Sequence, residues 1–236
     1  MSPPIGHLRH LLAGRVAPLS RFGTTSAIDK APVSDPVIVS PLGLEGDEQD
    51  DRRVHGGPEK ALRLYSLDHY NAWRDDLGPH PRLDRPGAIG ENLAVSGLTE
   101  DDVCLGDRWR VGEQVLLEVT QGRQPCWKLA DRFGVPDMVP RVQTTLRTGW
   151  YARVLAPGRL AVGDTLTFVD RSHPAWTIRR VTNLLYAPAP NIGDLATAPA
   201  LPLPEGWRRK LAQRLGWDSP LAPNNDALRT HGPAVR

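Results

Sequence analysis

Residues 115–133, VLLEVTQGRQPCWKLADRF, pass from a strand to a helix, and the way they do so decides the fold class. VLLEVT reads as a strand, Gly122 and Pro125 interrupt it, and a short helix is predicted to begin near Trp127 and run through KLADRF. No glycine fingerprint joins the strand to the helix, which removes the signature of a dinucleotide-binding doubly wound sheet. Outward from this stretch, PVIVS, ALRLY, WRVG, GWYARVL and LTFV repeat the strand pattern. Turn sequences such as PLGLEGD, APGR and VGD separate them, and Gly106-Asp107 and Gly163-Asp164 look like related turns. The expectation is a mostly β chain with some helix (α+β), its strands forming a barrel or sandwich. One further helix is predicted with Ser66 as cap, Asp68 in its first turn, and Leu67, Tyr70, Trp73 and Leu77 at helical spacing.

After Arg171 the composition changes. AWTIRRVTNLLY and EGWRRKLAQRLGW are amphipathic, and the Pro- and Ala-rich APAPNIGDLATAPALPLP separates them. The last residues, DSPLAPNNDALRTHGPAVR, read as a disordered tail. The expected organisation is an N-terminal extension over 1–25, a β domain over 26–170, a small helical appendage over 171–216 and a tail over 217–236. From Asp170 onward nine Arg or Lys face five Asp or Glu, so this part carries +4 against a total of +2. That excess is either a docking face or an ordinary solvated helix surface.

The 236 residues, 40% hydrophobic, suffice for a sizeable core. A net charge of +2 lacks the basic footprint of a nucleic-acid binder. No run is apolar enough to span a bilayer, and His7, Arg9, His10 and Arg15 interrupt the apolar patches that a secretory signal would need, so a cytoplasmic protein is expected. Two cysteines make no disulfide framework, and no Walker sequence, Cys-x-x-Cys pair or Gly-x-Ser-x-Gly elbow is present.

What remains are polar residues in unusual settings: Asp47, His55, Lys60, Glu91, Asn92, Arg123, Cys126 and Lys128. Each has a plain reading: Asp47 can close a turn after Gly46, His55 can be an accidental neighbour of Gly56-Gly57-Pro58, and Cys126 can be a buried filler or half of a bridge to Cys104. The alternative is that Cys126 is a ligand and reaction centre, because Arg123 and Lys128 favour thiolate, the form that binds metal and attacks. Cys104, between Val103 and Leu105, has no such neighbours and reads as structural.

Four segments carry a resemblance: LGLEGDEQDDRRVHGGPEKALRLYSLDHYNAW, GAIGENLAVSGLTEDDVCLGDRWRVG, GRQPCWKL and GWYARVLAPGRLAVGD. In this order they resemble the MOSC domain family (molybdenum cofactor sulfurase C-terminal domain) in its YiiM-like branch, across about residues 26–170. Trp176 to Leu215 is similar to the three-helix domain that follows MOSC in that branch, with its middle helix weakly marked. The resemblance implies a MOSC-type β-barrel, a molybdenum cofactor (molybdopterin-bound molybdenum) and Cys126 as the metal's ligand. It further implies reduction of N-hydroxylated compounds such as 6-N-hydroxylaminopurine. The resemblance extends to His55, Asp47, Lys60 and Arg123 beside Cys126; the cofactor's phosphate needs fixed cations, for which Arg123 with Lys60, Lys128 or Lys30 is available, and Asn92 joins the cofactor-binding set. His55 would deliver a proton to the departing hydroxyl, oriented by Asp47.

The chain holds no flavin, haem or iron–sulfur motif, so a flavoprotein reductase or small electron carrier is the implied partner, beside a small N-hydroxylated substrate. A monomer or homodimer is expected. Two alternatives stand beside the reductase: a sulfur carrier with persulfide on Cys126, and a non-catalytic molybdenum cofactor-binding module.

Overall fold

A computed structural model describes residues 4–21, 23–33, 36–50, 56–216 and 226–232. Seven strands make its wall: β1 (Gly6–Ala13), β2 (Leu62–Ser66), β3 (Leu93–Ser96), β4 (Arg108–Val111), β5 (Val115–Gly122), β6 (Trp150–Ala156) and β7 (Thr165–Asp170). Their spatial order is β1-β3-β2-β6-β5-β4-β7, and β7 returns to β1 through Gly6↔Leu166 and His7↔Thr165, closing a barrel. Closure leaves the wall without an open edge. All neighbours are antiparallel except β2 and β3, where Leu64 lies opposite Leu93 in a parallel pair. Parallel neighbours need a crossover, and the chain between them supplies helix α1 (His69–Leu77).

Alternation puts the apolar side chains inside. Val115, Leu117 and Val119 of β5, Trp109 and Val111 of β4, and Trp150 and Ala152 of β6 form one core with Leu62 and Leu64. The alternate residues of β2 face the other way. Tyr65 packs outside the barrel with Tyr70 and Trp73 of α1, Leu129 and Phe133 of α2 (Trp127–Phe133), and Met138 and Val142 of α3 (Met138–Thr145). The barrel wall is thus covered on one side by a second apolar layer, and Arg63 stands on that outer face.

A third cluster holds the C-terminal helices α4 (Ile178–Tyr186), α5 (Ile192–Thr197) and α6 (Glu205–Arg214), with Leu105 of the barrel joining Val181, Leu195 and Trp207. The weakly marked middle helix does form: the Asn191 side chain caps it by accepting from Asp194 N at 2.9 Å.

Several expectations change. Residues 6–13, expected to lie in an N-terminal extension, form β1, and Leu8 and Leu11 belong to the barrel core. A bulge between Leu8 and His10 breaks the two-residue period there. Ser66 does not cap α1; it is the buried last residue of β2, and Asp68 occupies the cap position while its carboxylate accepts from Gly97 N at 2.9 Å. Within the expected tail, Asp226–His231 form a helix, α7, with Arg229 donating to the Pro125 carbonyl. Cys104 and Cys126 are both free thiols. The two Gly-Asp turns are alike: Asp107 accepts from Cys104 N and Asp164 from Ala161 N, each at 2.8 Å, as the chain enters β4 and β7. Among the described residues no helix is long and apolar enough to cross a membrane.

The helical appendage rests on β5 at Gly122, where an added Cβ would lie 2.3 Å from Thr182 Oγ1 and 3.3 Å from Ile178 Cγ2 of α4. Gly122→Ala is therefore expected to overpack this contact at a cost of about 1–3 kcal/mol. The expected result is a lower melting temperature with earlier proteolytic cleavage ahead of α4; parent-like behaviour in both assays would show that the contact does not hold the helices.

Candidate functional site

Beyond Gly122 the chain leaves β5 and enters the segment Arg123-Gln124-Pro125-Cys126, which ends at the N-cap position of α2. Arg123 N bonds to Gly149 O at 3.1 Å, so the segment is pinned to the approach to β6. Cys126, 4% exposed, opens onto a pocket on the outer face of the barrel. Tyr151 of β6 and Arg63 of β2, paired across the two strands, form its barrel wall. Lys60, Gly90 and the Ser26–Lys30 and Asp47–Asp50 segments complete it.

The structure brings Lys30, Asp47, Lys60, Asn92, Arg123, Cys126 and Lys128 to this pocket, but gives several of them partners that sequence did not show. Asp47 is a hub: Oδ1 accepts from Gly14 N at 2.8 Å and from the Lys30 ammonium, and Oδ2 accepts from Asn92 Nδ2 at 2.9 Å. Burial lowers the pKa of Lys30, with Asp47 opposing. Asn92 also donates to Leu12 O at 3.2 Å and accepts from Arg63 N at 3.2 Å, so its amide ties β1 to β2. Lys128 has other partners: its ammonium donates to Asp50 Oδ2 at 2.7 Å and to Thr25 O at 2.8 Å. His55 lies outside the described residues.

Arg123 is the cation that stays with Cys126. Its Nη2 stands 3.7 Å from Cys126 Sγ, its Nη1 donates to Gln124 O at 3.3 Å, and its Nε is buried without a partner. Burial works against its charge, but Cys126 and Tyr151 hold its pKa above the ordinary value. Burial alone would raise the Tyr151 phenol; Arg123, Arg63 and Lys60 together bring its pKa below normal. Cys104 is different: fully buried, with burial and Asp107 pushing its thiol up to about 11, it is a packed residue.

Two site residues escaped the sequence reading, Arg63 and Tyr151. Arg63 is 4% exposed, and burial together with Arg123 pushes its pKa down to about 9. A charged residue in the middle of the apolar run ALRLY was the available signal. Tyr151 gave none beyond its place in GWYARVL. Of the five pocket cations, Lys30 and Lys128 are matched by Asp47 and Asp50, while Arg63 and Arg123 have no ion-pair partner among the described residues. Partnerless buried nitrogens on both guanidiniums suit an anionic ligand. Cys126 is the soft donor of the lining, and with the unmet guanidinium nitrogens beside it the pocket fits a molybdenum cofactor, whose pterin dithiolene supplies further sulfur donors and whose pterin carries a phosphate.

Comparison with known proteins gives the following. A family model described as the MOSC domain matches residues 51–167, and one described as a YiiM-like, 3-alpha helix domain matches 176–216. A protein named Reductase from Gibberella moniliformis is 38% identical over 203 residues, 86% of this chain; the chain spans 36% of that protein's length. Protein YiiM of Escherichia coli is 42% identical over 149 residues, 63% of this chain and 66% of that one. The crystal structure of YiiM from Geobacillus stearothermophilus aligns with a TM-score of 0.73 at 32% identity, covering 89% of this chain and 99% of that one.

Asp47→Asn would leave the Lys30 ammonium, 8% exposed, without its countercharge. A cost of about 3–5 kcal/mol and a melting temperature lower by roughly 10 °C are expected. Asp137→Asn, which removes the exposed Asp137–Arg141 pair, should leave melting unchanged. Equal shifts would mean that Asp47 is not the hub of the pocket floor.

Proposed function

This chain belongs to the MOSC family, with a YiiM-like three-helix domain behind its barrel, and we propose that it is a molybdenum-cofactor-dependent reductase of N-hydroxylated compounds. The observation that carries this reading is the Cys126 thiol opening onto a pocket whose two guanidiniums hold buried nitrogens without partners, with Arg123 3.7 Å from the sulfur. A soft thiolate is a suitable ligand for molybdenum. When bound, the cofactor supplies two-electron chemistry and an acceptor for oxygen. Reduction of an N–OH group balances as R–NHOH + 2e⁻ + 2H⁺ → R–NH₂ + H₂O.

The chain's own residues serve binding and proton supply. Arg123 keeps its charge next to Cys126 and orients the sulfur through the Nη2 contact at 3.7 Å. The Asp47–Lys30–Asn92 hub fixes the pocket floor. His55 remains the proposed proton donor to the departing hydroxyl, because an imidazole titrates near neutrality. Electrons would come from a flavoprotein reductase or small electron carrier. The Gibberella relative named a reductase supports the redox class.

The test uses protein purified from a host that makes the cofactor, with molybdenum content, melting temperature and N-hydroxylaminopurine reduction by an artificial reductant measured on the same samples. Cys126→Ser exchanges the thiolate for a poorly ionised hydroxyl and should lose molybdenum or at least a hundredfold in rate, roughly, while its fold survives. Cys104→Ser should do the reverse: it places a hydroxyl in a packed site at a cost of about 1–3 kcal/mol yet leaves the folded fraction active. A Cys126→Ser protein with full molybdenum and full rate sinks the proposal. Parent protein that carries molybdenum without turnover would be a cofactor carrier, and protein with neither would return sulfur transfer to consideration.

A further inference from the structure

We infer that Arg63 is the anion anchor of the pocket, the Nε–Nη2 edge of its guanidinium receiving two oxygens of a phosphate monoester. The inference rests on the molybdenum-cofactor reading and adds the residue that would hold the cofactor's phosphate.

The local sequence makes Arg63 unusual before any ligand is considered. Its neighbours Leu62 and Leu64 point into the barrel core, so Arg63 projects from the opposite face of β2 toward Tyr151 on β6. It is nevertheless 4% exposed, because the covering layer closes over that face. One nitrogen is fixed: Nη1 donates to the Ile89 carbonyl. The other two, Nε and Nη2, are buried and have no partner. These are neighbouring N–H groups on one edge of a planar fork, spaced to meet two oxygens of a single oxyanion. The three nitrogens of one guanidinium thus divide into an anchored one and an adjacent, unmet pair in a residue that lines the pocket.

Donor count selects among oxyanions. A carboxylate would satisfy the Arg63 fork alone, but Arg123 carries a buried, partnerless Nε of its own. Three unmet nitrogens on two neighbouring guanidiniums match the three terminal oxygens of a phosphate monoester better than the two of a carboxylate. Lys30 and Lys128, two of the cations expected from sequence to meet a phosphate, are held by Asp47 and Asp50. Gly90 keeps the wall thin at this point: an added Cβ would meet Ile28 Cγ1 at 2.7 Å and Arg63 Nη1 at 3.2 Å.

The experiment uses full-length chain produced in a host unable to make the cofactor, titrated calorimetrically with inorganic phosphate and, at matched ionic strength, with acetate. Phosphate should bind and raise the melting temperature more than acetate does. Arg63→Lys keeps the charge but exchanges the fork for a single ammonium, and should bind phosphate at least about tenfold more weakly. The same variant from a cofactor-making host should carry proportionally less pterin and molybdenum than the parent.

Parent-like phosphate affinity and pterin content in Arg63→Lys would overturn the inference. Weakened phosphate binding with undiminished pterin would overturn the cofactor assignment, pointing to free phosphate as the ligand. Should Arg63→Lys fail to fold by circular dichroism, the parent decides alone: a phosphate response no larger than that to acetate overturns the anchor. None of these readouts needs turnover, so a chain that binds phosphate through Arg63 but never reduces an N–OH group sinks the reductase and leaves the anchor standing.

Discussion

The pairing of β7 with β1 is the constraint on which the rest depends. Two register positions, Gly6↔Leu166 and His7↔Thr165, turn an open sheet into a closed wall. In a closed wall a shift of one strand by one residue would carry its whole apolar set from the core to the outer face, so the register of every neighbour is fixed by closure. That fixed register places Leu62, Leu64, Trp150 and Ala152 inside and leaves Arg63 opposite Tyr151 outside. Closure thus sets the geometry of the pocket through strands that do not themselves touch it.

The pocket then sets its own charge balance. Asp47 and Asp50 neutralise the cations of the floor and rim, Lys30 and Lys128, and thereby reserve Arg63 and Arg123 for something else. Burying two neighbouring guanidiniums with unmet donors is unfavourable for the bare protein. That is the expected pattern for a site that a ligand completes, since binding energy returns when an anion arrives. Strain of this kind is concentrated beside Cys126, in the segment that the three-helix domain braces through Gly122 against Thr182 and through Lys210 donating to Gln124 Oε1 at 2.6 Å.

Much of this architecture was legible in the sequence, for stated reasons. VLLEVT, WRVG and LTFV kept the two-residue period that a half-buried wall demands, and they became β5, β4 and β7. GHLRHLLA lost that period at its bulge, and with His7, Arg9 and His10 in view it did not read as a strand. At the site, residue types were legible but pairings were not. Lys30 meets Asp47 across 17 positions, Asn92 meets it across 45, and Lys128 meets Asp50 across 78. Nothing local records which cation a carboxylate will take, and that choice separates a ligand-binding lysine from a structural one. Arg63 hid for the opposite reason: one charge inside an apolar strand looks like a solvent-facing residue until a second layer is known to cover it.

In the proposed function the barrel presents Cys126 as a thiolate ligand to molybdenum beside an anion-binding wall. X-ray absorption at the molybdenum edge, on parent protein and Cys126→Ser from a cofactor-making host, tests it most directly. The expected result is a sulfur in the parent's metal shell, beyond those of the pterin, that is missing from whatever molybdenum the variant retains. Identical sulfur shells in the two proteins would contradict the claim and leave Cys126 a buried side chain beside someone else's metal site.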